Sequence, residues 1–515
     1  MATRDQLIQQ DMQRLHRMGY AQELFRAMGG FSNFAISFTI ISILSGCLTS
    51  FFLGIGWAGP ASASIGWPIV SVFSLMVALS MAELASAFPT AGGLYYWSSK
   101  LGGPGWGWFT GWFNLIGQIA VTTAIDYGCA TFINILMNTW WGTPQTANAI
   151  MITFTVVLAL HAFMNALGVR LVALLNDVSV WWHIAVTGLL VLFLIFKAPS
   201  HSFTTAFHTG FTTSGFSSWY GFLLGLLLAQ YTLTGFDASA HMSEETIGAD
   251  TRAPWGIVMS VVVSAIAGYA LLMALVVAIP SVHAANDLAR FNLLAGNTNA
   301  VGVVLNSALG TRLGTLLLAL AVVAQFYCGM SSVTSNSRMI YAFSRDGALP
   351  ISGLWHRLNK GTRTPVNAIV IGAILSWALA VPSLWSAVAY GAATSIAVIG
   401  LYVAYIIPVF LRWRAGSAFI AGRWHLGPLS STVNVIAIVW VAFITVLFML
   451  PTFSPISWST LNYTPIVVLG VTSLLVVWYA ASVRFWFKGP RIQGTAEEMA
   501  QIEHNLGESI EVVPA

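Results

Sequence analysis

Charge is what this sequence has least of. Only 7% of its 515 residues are Asp, Glu, Lys or Arg and 57% are apolar, whereas a soluble domain carries about 25% charged residues. That scarcity excludes a soluble globular protein. Cysteine is rarer still: Cys47, Cys129 and Cys328 are the only three. All lie in apolar stretches, which argues against a disulfide framework. No GxxxxGK[ST] segment occurs, so nothing points to ATP as a driver. Histidines and carboxylates do not gather at one depth, as a membrane enzyme would require. The sequence therefore predicts no catalytic residue, no metal and no cofactor.

What is present instead is apolar length. Runs of about 20 residues, each able to cross a hydrocarbon core of ~30 Å, recur along nearly the whole chain, and the mean hydropathy is +0.78. Twelve spans are predicted, at about 32–57, 62–87, 104–137, 148–167, 171–196, 217–241, 255–280, 311–342, 365–383, 386–411, 430–451 and 462–486. Residues 1–30 form a polar, basic, amphipathic segment without the apolar core of a signal peptide, so no cleaved presequence is expected. Its helical spacing suits a topogenic or packing helix. The span domain covers 31–487, and 488–515 is a tail.

Alternate loops carry very different charge. Placing residue 1 inside leaves only Lys197, Arg290 and Arg312 of the 21 Lys and Arg on the outer side. That bias predicts both termini in the cytoplasm. It also accounts for the pI near 9.0 without any nucleic-acid partner; the partner implied is the lipid bilayer.

Ionisable groups at bilayer depth are costly and so point to function. Glu83 and Asp177 fall near span ends and read as structural. Asp126, deeper in span 3, has two readings: a ligand for a substrate ammonium or a proton, or a carboxyl bonded to a neighbouring helix. Asp237 differs because the backbone beside it is also weak. Gly235 follows Thr234 in mid-span, and glycine weakens a helix. Leu44-Ser45-Gly46 in span 1 repeats the pattern of Leu233-Thr234-Gly235 in span 6. Paired interruptions of this kind mark transporter sites built on opened helices, although small residues also serve tight helix contacts.

Further motifs carry a resemblance. Gly92-Gly93 with Tyr95 and Trp97 after "ELASAFPT", "GFD" followed by Glu244-Glu245 and Pro254, and "NSRMIYAFSRDGALP" at 336–350 resemble the amino acid–polyamine–organocation permeases, most closely their amino acid/choline branch, which includes GABA permeases. The resemblance spans roughly residues 25–485. It implies an all-α integral membrane protein of twelve transmembrane helices. Two inverted five-helix repeats, at about 32–196 and 217–411, would be followed by two extra helices at about 430–486. It places a substrate carboxylate at Ser45, Gly46 and Cys47. Tyr231 would cover the substrate, Thr234, Gly235 and Phe236 would line the opened backbone of span 6, and Asp237 would act as an acidic gate. Proton-linked relatives place a lysine in span 5, seven residues after a Gln or Asn. Counting from Asn176, this chain has His183 there, a departure that still supplies a group able to titrate near neutrality. Ser332 and Ser335 fall near the ion site of sodium-coupled relatives.

The expected function is a secondary carrier of the plasma (inner) membrane. It would move a small amino acid, GABA-like or other, by alternating access with a proton as coupling ion. Competing readings are a choline, polyamine or other organic-cation carrier using Asp126, Asp237 and aromatic faces, and an amino-acid exchanger. A channel or a non-transporting sensor would show no saturable counterflow. Neither flux direction nor oligomeric state follows from the sequence.

Overall fold

Long apolar runs in hydrocarbon must satisfy their own backbone, and helices do so. The computed structural model describes residues 3–198, 203–207, 212–279, 294, 297–386, 388–458 and 460–511. Arg290 and the expected span edge at 280 lie outside these. Apart from one isolated bridge between Met28 and Thr246, the regular structure of the described residues is helical. The helices are α1 (Arg4–Arg17), α2 (Gly30–Ile41), α3 (Ile43–Ala58), α4 (Trp67–Ala87), α5 (Gly93–Gly102), α6 (Pro104–Trp141), α7 (Ala147–Ala166), α8 (Val169–Lys197), α9 (Ser218–Gly225), α10 (Leu227–Thr232), α11 (Ala238–His241), α12 (Ala249–Val277), α13 (Ala300–Leu309), α14 (Thr311–Arg345), α15 (Val366–Ala380), α16 (Ala389–Ala415), α17 (Ser430–Leu447), α18 (Thr464–Trp478) and α19 (Ala496–Glu511).

Among the described residues, eleven helices are long and apolar enough to cross a membrane, with α2 and α3 together forming one of them. The stretch expected as a span at 217–241 is not among the eleven, because it is divided into α9, α10 and α11. Between α10 and α11 the backbone leaves helical geometry at Leu233, and Gly235 takes φ +97°, a conformation that favours glycine. The first run is also interrupted, at Ser42 (φ 31°, ψ 86°). The opening expected at Ser45–Cys47 thus lies three residues earlier, and those three residues sit inside α3. Serine suits the break because its hydroxyl accepts from Ser45 N–H at 3.1 Å, capping the new helix start.

Two ends of the bundle contrast. At one, Arg338 pairs with Glu245 at 2.7 Å, Arg345 with Glu244 at 2.9 Å, and Arg412 with Glu83 at 3.1 Å, all largely buried. Here α1 is docked as a packing helix: Leu15 and Asp11 are buried, and Asp11 accepts from Gly248 N–H at 2.6 Å. Burial pushes the Asp11 carboxyl up, partly countered by Arg26. Burial would do the same to Glu244, but the Arg345 guanidinium, with the Ala91 amide and Arg26, outweighs it and holds that carboxyl below its usual range. At the other end lies a cavity of about 370 Å³ walled by Phe52, Trp57, Tyr127, Phe132, Tyr390 and Tyr463, with no charged side chain on its lining among the described residues.

Candidate functional site

The two interruptions meet. A Cβ on Gly46 would stand 2.7 Å from the Thr232 side chain and 2.8 Å from its Cα, and one on Gly235 would stand 2.3 Å from Ile40 Cγ2. Glycine at both places lets α3 approach α10, and lets the turn after α10 approach α2. Between them lies a void of about 10 Å³ bordered by Ile40, Ser45, Gly46, Tyr231, Thr232 and Thr234, room for one water at most. The larger cavity reaches Thr49 and Gly128, one helical turn along α3 and α6 from the Ser45 and Ile125 that border the void. Cys47 is buried but does not border it. Ser45 N–H and Gly46 N–H both donate to the Ser42 carbonyl, each at 2.8 Å. Two of the three amides expected to receive a carboxylate are therefore engaged by Ser42 here.

Asp237 stands just past the span-6 interruption, buried and accepting three hydrogen bonds. Tyr405 hydroxyl donates to Oδ1 at 2.7 Å, and Gln118 and Asn114 amides donate to Oδ2 at 2.9 and 3.1 Å. His241 Nε2 lies 3.3 Å from Oδ2, while its Nδ1 faces the Ala91 carbonyl at 3.0 Å. Tyr405 also accepts from Gly235 N–H at 3.2 Å, and Tyr402 donates to the Leu233 carbonyl at 2.5 Å. Two tyrosines thus hold the unwound strand. Phe236 packs its ring 4.9 Å from that of Tyr405, and its carbonyl accepts from Ser37 at 3.0 Å.

The remaining candidates are dispersed. Asp126 does not border the void and pairs with His161, Oδ2 to Nδ1 at 3.1 Å, both completely buried. His183 serves the span-1 break. Its Nδ1 lies 2.8 Å from the Ser179 carbonyl, which only accepts, so this nitrogen carries the hydrogen. Its Nε2, 2.7 Å from Ser42 Oγ, is then the acceptor for the serine hydroxyl. Ser332 shares a hydrogen bond with Thr122 at 2.6 Å, and Ser335 is buried without a partner for its hydroxyl.

Sequence reasoning passed over Ser42, Asn114, Gln118, His161, His241 and Tyr405. Some signal existed. His241 is four residues after Asp237, and Gln118 four after Asn114, spacings that put each pair on one helix face. Which faces oppose each other is a tertiary fact that no spacing carries.

A membrane-embedded helical bundle whose buried polar groups gather at two helix interruptions defines a permease-type membrane protein. The comparisons give the particular family: the amino acid permease family model matches residues 28–471, and the chain belongs to that family. It is 41% identical over 499 residues to amino-acid permease BAT1 of Arabidopsis thaliana and 40% identical to the BAT1 homolog of rice, in each case covering 93% of this chain and 95% of the relative. A putative polyamine transporter of Candida albicans is 26% identical over 534 residues, 99% of this chain and 94% of that protein. The chain is an amino acid transporter of the membrane, not an enzyme.

Proposed function

We propose that the protein is a secondary carrier that brings a small amino acid across the plasma membrane by alternating access, driven by protons. The observation that carries this reading is the convergence of the Ser42 and Leu233–Asp237 interruptions on one void between α3 and α10. Twelve spans then follow if 217–241 crosses as a broken helix. Spans 1–5 and 6–10 form inverted repeats, the last two spans stand outside them, and residues 1–30 and 488–515 lie in the cytoplasm. Spans 1, 2, 6 and 7 rock against 3, 4, 8 and 9. The buried ion pairs seal the cytoplasmic end, and the aromatic cavity opens to the other side.

The substrate carboxylate takes the amides of Ser45–Cys47 in place of Ser42, where the helix start favours an anion. Tyr231 covers the substrate from α10, and the backbone of Thr234, Gly235 and Phe236 receives it from the opposite side. Asp237, which already accepts three hydrogen bonds, gates the turn. His183 is the residue that the family resemblance puts forward for the proton. One charge falling through 100 mV supplies about 2.3 kcal/mol, enough for roughly fiftyfold accumulation of a zwitterion.

The test is labelled GABA uptake into proteoliposomes under an inward pH gradient, challenged with excess amino acids, choline and putrescine. Competition by amino acids and collapse with a protonophore are expected; uptake indifferent to the pH gradient overturns the proton drive. His183→Ala is the matching variant: retained gradient-driven uptake removes His183 from coupling. A second reading, an organic-cation or polyamine carrier, is favoured by the unpartnered Oδ1 of Asp126 and by the Candida relative; competition by putrescine or choline alone selects it. Sodium coupling at Ser332 and Ser335 predicts uptake that requires sodium in place of the gradient.

A further inference from the structure

We infer that the buried pair Asp126–His161, between α6 and α7, is the proton-binding site of the transport cycle. The inference rests on the proton-driven reading above and places the proton on groups which that reading does not use for coupling.

The pair is half satisfied. Its one bond joins Asp126 Oδ2 to His161 Nδ1 at 3.1 Å. Asp126 Oδ1 and His161 Nε2 are both buried with no hydrogen-bond partner. Neither atom is held by the fold, so a proton can arrive or leave without breaking another contact. Gly329 of α14 makes the space: a Cβ there would stand 1.8 Å from Asp126 Oδ1 and 2.6 Å from His161 Cε1. The imidazole also lies 4.3 Å from the Phe326 ring, centroid to centroid. The pair is thus wedged between α6, α7 and α14, spans 3, 4 and 8 of the proposed carrier.

Charge gives the pair its function. With His161 neutral and Asp126 ionised, the pair carries a net negative charge in a site sealed from water, which is costly. One added proton makes it neutral, whichever partner holds it. Among the described residues no cation is paired with it. α6 and α7 contain no Lys or Arg, and on α14 the nearest, Arg338, is committed to Glu245. The other titratable groups around Asp126 are Cys129 on α6, Cys328 on α14 and Tyr231 on α10. Tyr390 on α16 stands next to Tyr231. All of these are uncharged thiols and phenols near neutral pH.

Access is short. Tyr127 and Gly128, the next residues along α6, line the aromatic cavity. A hydronium or buffer acid in that cavity gives its proton to the pair and keeps the electron pair of the bond that breaks. The new N–H or O–H bond neutralises the site, and the cavity can then close over it. Opening of the ion-paired end releases the proton on the other side.

The test uses the full chain in proteoliposomes, with labelled GABA and a labelled mixture of the standard amino acids as probes. Two readouts are taken: accumulation under an inward pH gradient, and counterflow at equal pH. Wild type should accumulate about tenfold per pH unit for one proton per zwitterion. Asp126→Asn and His161→Gln should abolish accumulation yet keep counterflow within about threefold of wild type, whereas Asp237→Asn should impair both readouts together. Retained accumulation in Asp126→Asn and His161→Gln overturns the inference while leaving the proton-driven reading intact. Wild type that never accumulates any probe overturns both. Loss of counterflow in folded Asp126→Asn makes the carboxylate a substrate ligand. Failure of both variants to fold, judged by melting, assigns the pair to the scaffold. Either of these last outcomes overturns the inference.

Discussion

Two carboxylates of this protein lie at bilayer depth, each beside a histidine, and they are built oppositely. Asp237 receives Tyr405, Gln118 and Asn114 and lies beside His241. Asp126 meets His161 alone and leaves one oxygen and one ring nitrogen unpartnered. The same two residue types thus serve two ends. A saturated carboxylate fixes the chain around it, here the unwound turn after α10. An unsaturated one has nothing to hold and keeps its capacity for a proton. Counting partners separates the two roles where residue identity and depth do not.

The sharpest way to break this contrast is to delete each carboxylate. Asp237→Ala strands the donors of Asn114, Gln118 and Tyr405 and should cost about 3–5 kcal/mol of stability. Asp126→Ala should cost well under half of that. Melting of the purified proteins compares them, and equal losses would erase the distinction. Next in size, Gly329→Ala presses a methyl onto Asp126 Oδ1 and His161 and should cost about 1–3 kcal/mol together with most gradient-driven uptake. The same change at the half-buried Gly188, where a Cβ would meet nothing within 4 Å, should do neither. Tyr405→Phe removes one donor from Asp237 and one acceptor from Gly235, for about 1–2 kcal/mol, without altering the response to a pH gradient. The smallest effect belongs to the ion-paired end. Glu244 is held below the usual carboxylate range by Arg345, so its contribution is present above its unfolded value and is lost as pH falls through the folded one. Glu244→Gln should flatten the acid limb of a melting-against-pH curve below about pH 4.5; an unchanged acid limb would remove the pair from the balance.

Much of this was legible in the sequence, unevenly. Apolar run length yields the spans because hydrocarbon leaves the backbone no other partner. The glycine at 235 signals its own break because its backbone conformation favours glycine. The span-1 break was misplaced onto Ser45–Cys47, since Gly46 is needed for contact with Thr232 and not for unwinding; Ser42, held by His183 and capping Ser45, does the unwinding. His183 stood out by its tryptophans and its spacing from Asn176. His161 did not, because its partner is 35 residues away on another helix and no local pattern joins them.

The most direct measurement is the steady-state accumulation ratio of labelled amino acids in His161→Gln proteoliposomes under a stepped pH gradient, in protein whose counterflow is intact. If Asp126–His161 holds the proton, the wild-type ratio climbs with each step and the variant settles at equal concentrations inside and out. If the variant climbs in parallel with wild type, the proton travels elsewhere and the half-satisfied pair is only a packing contact.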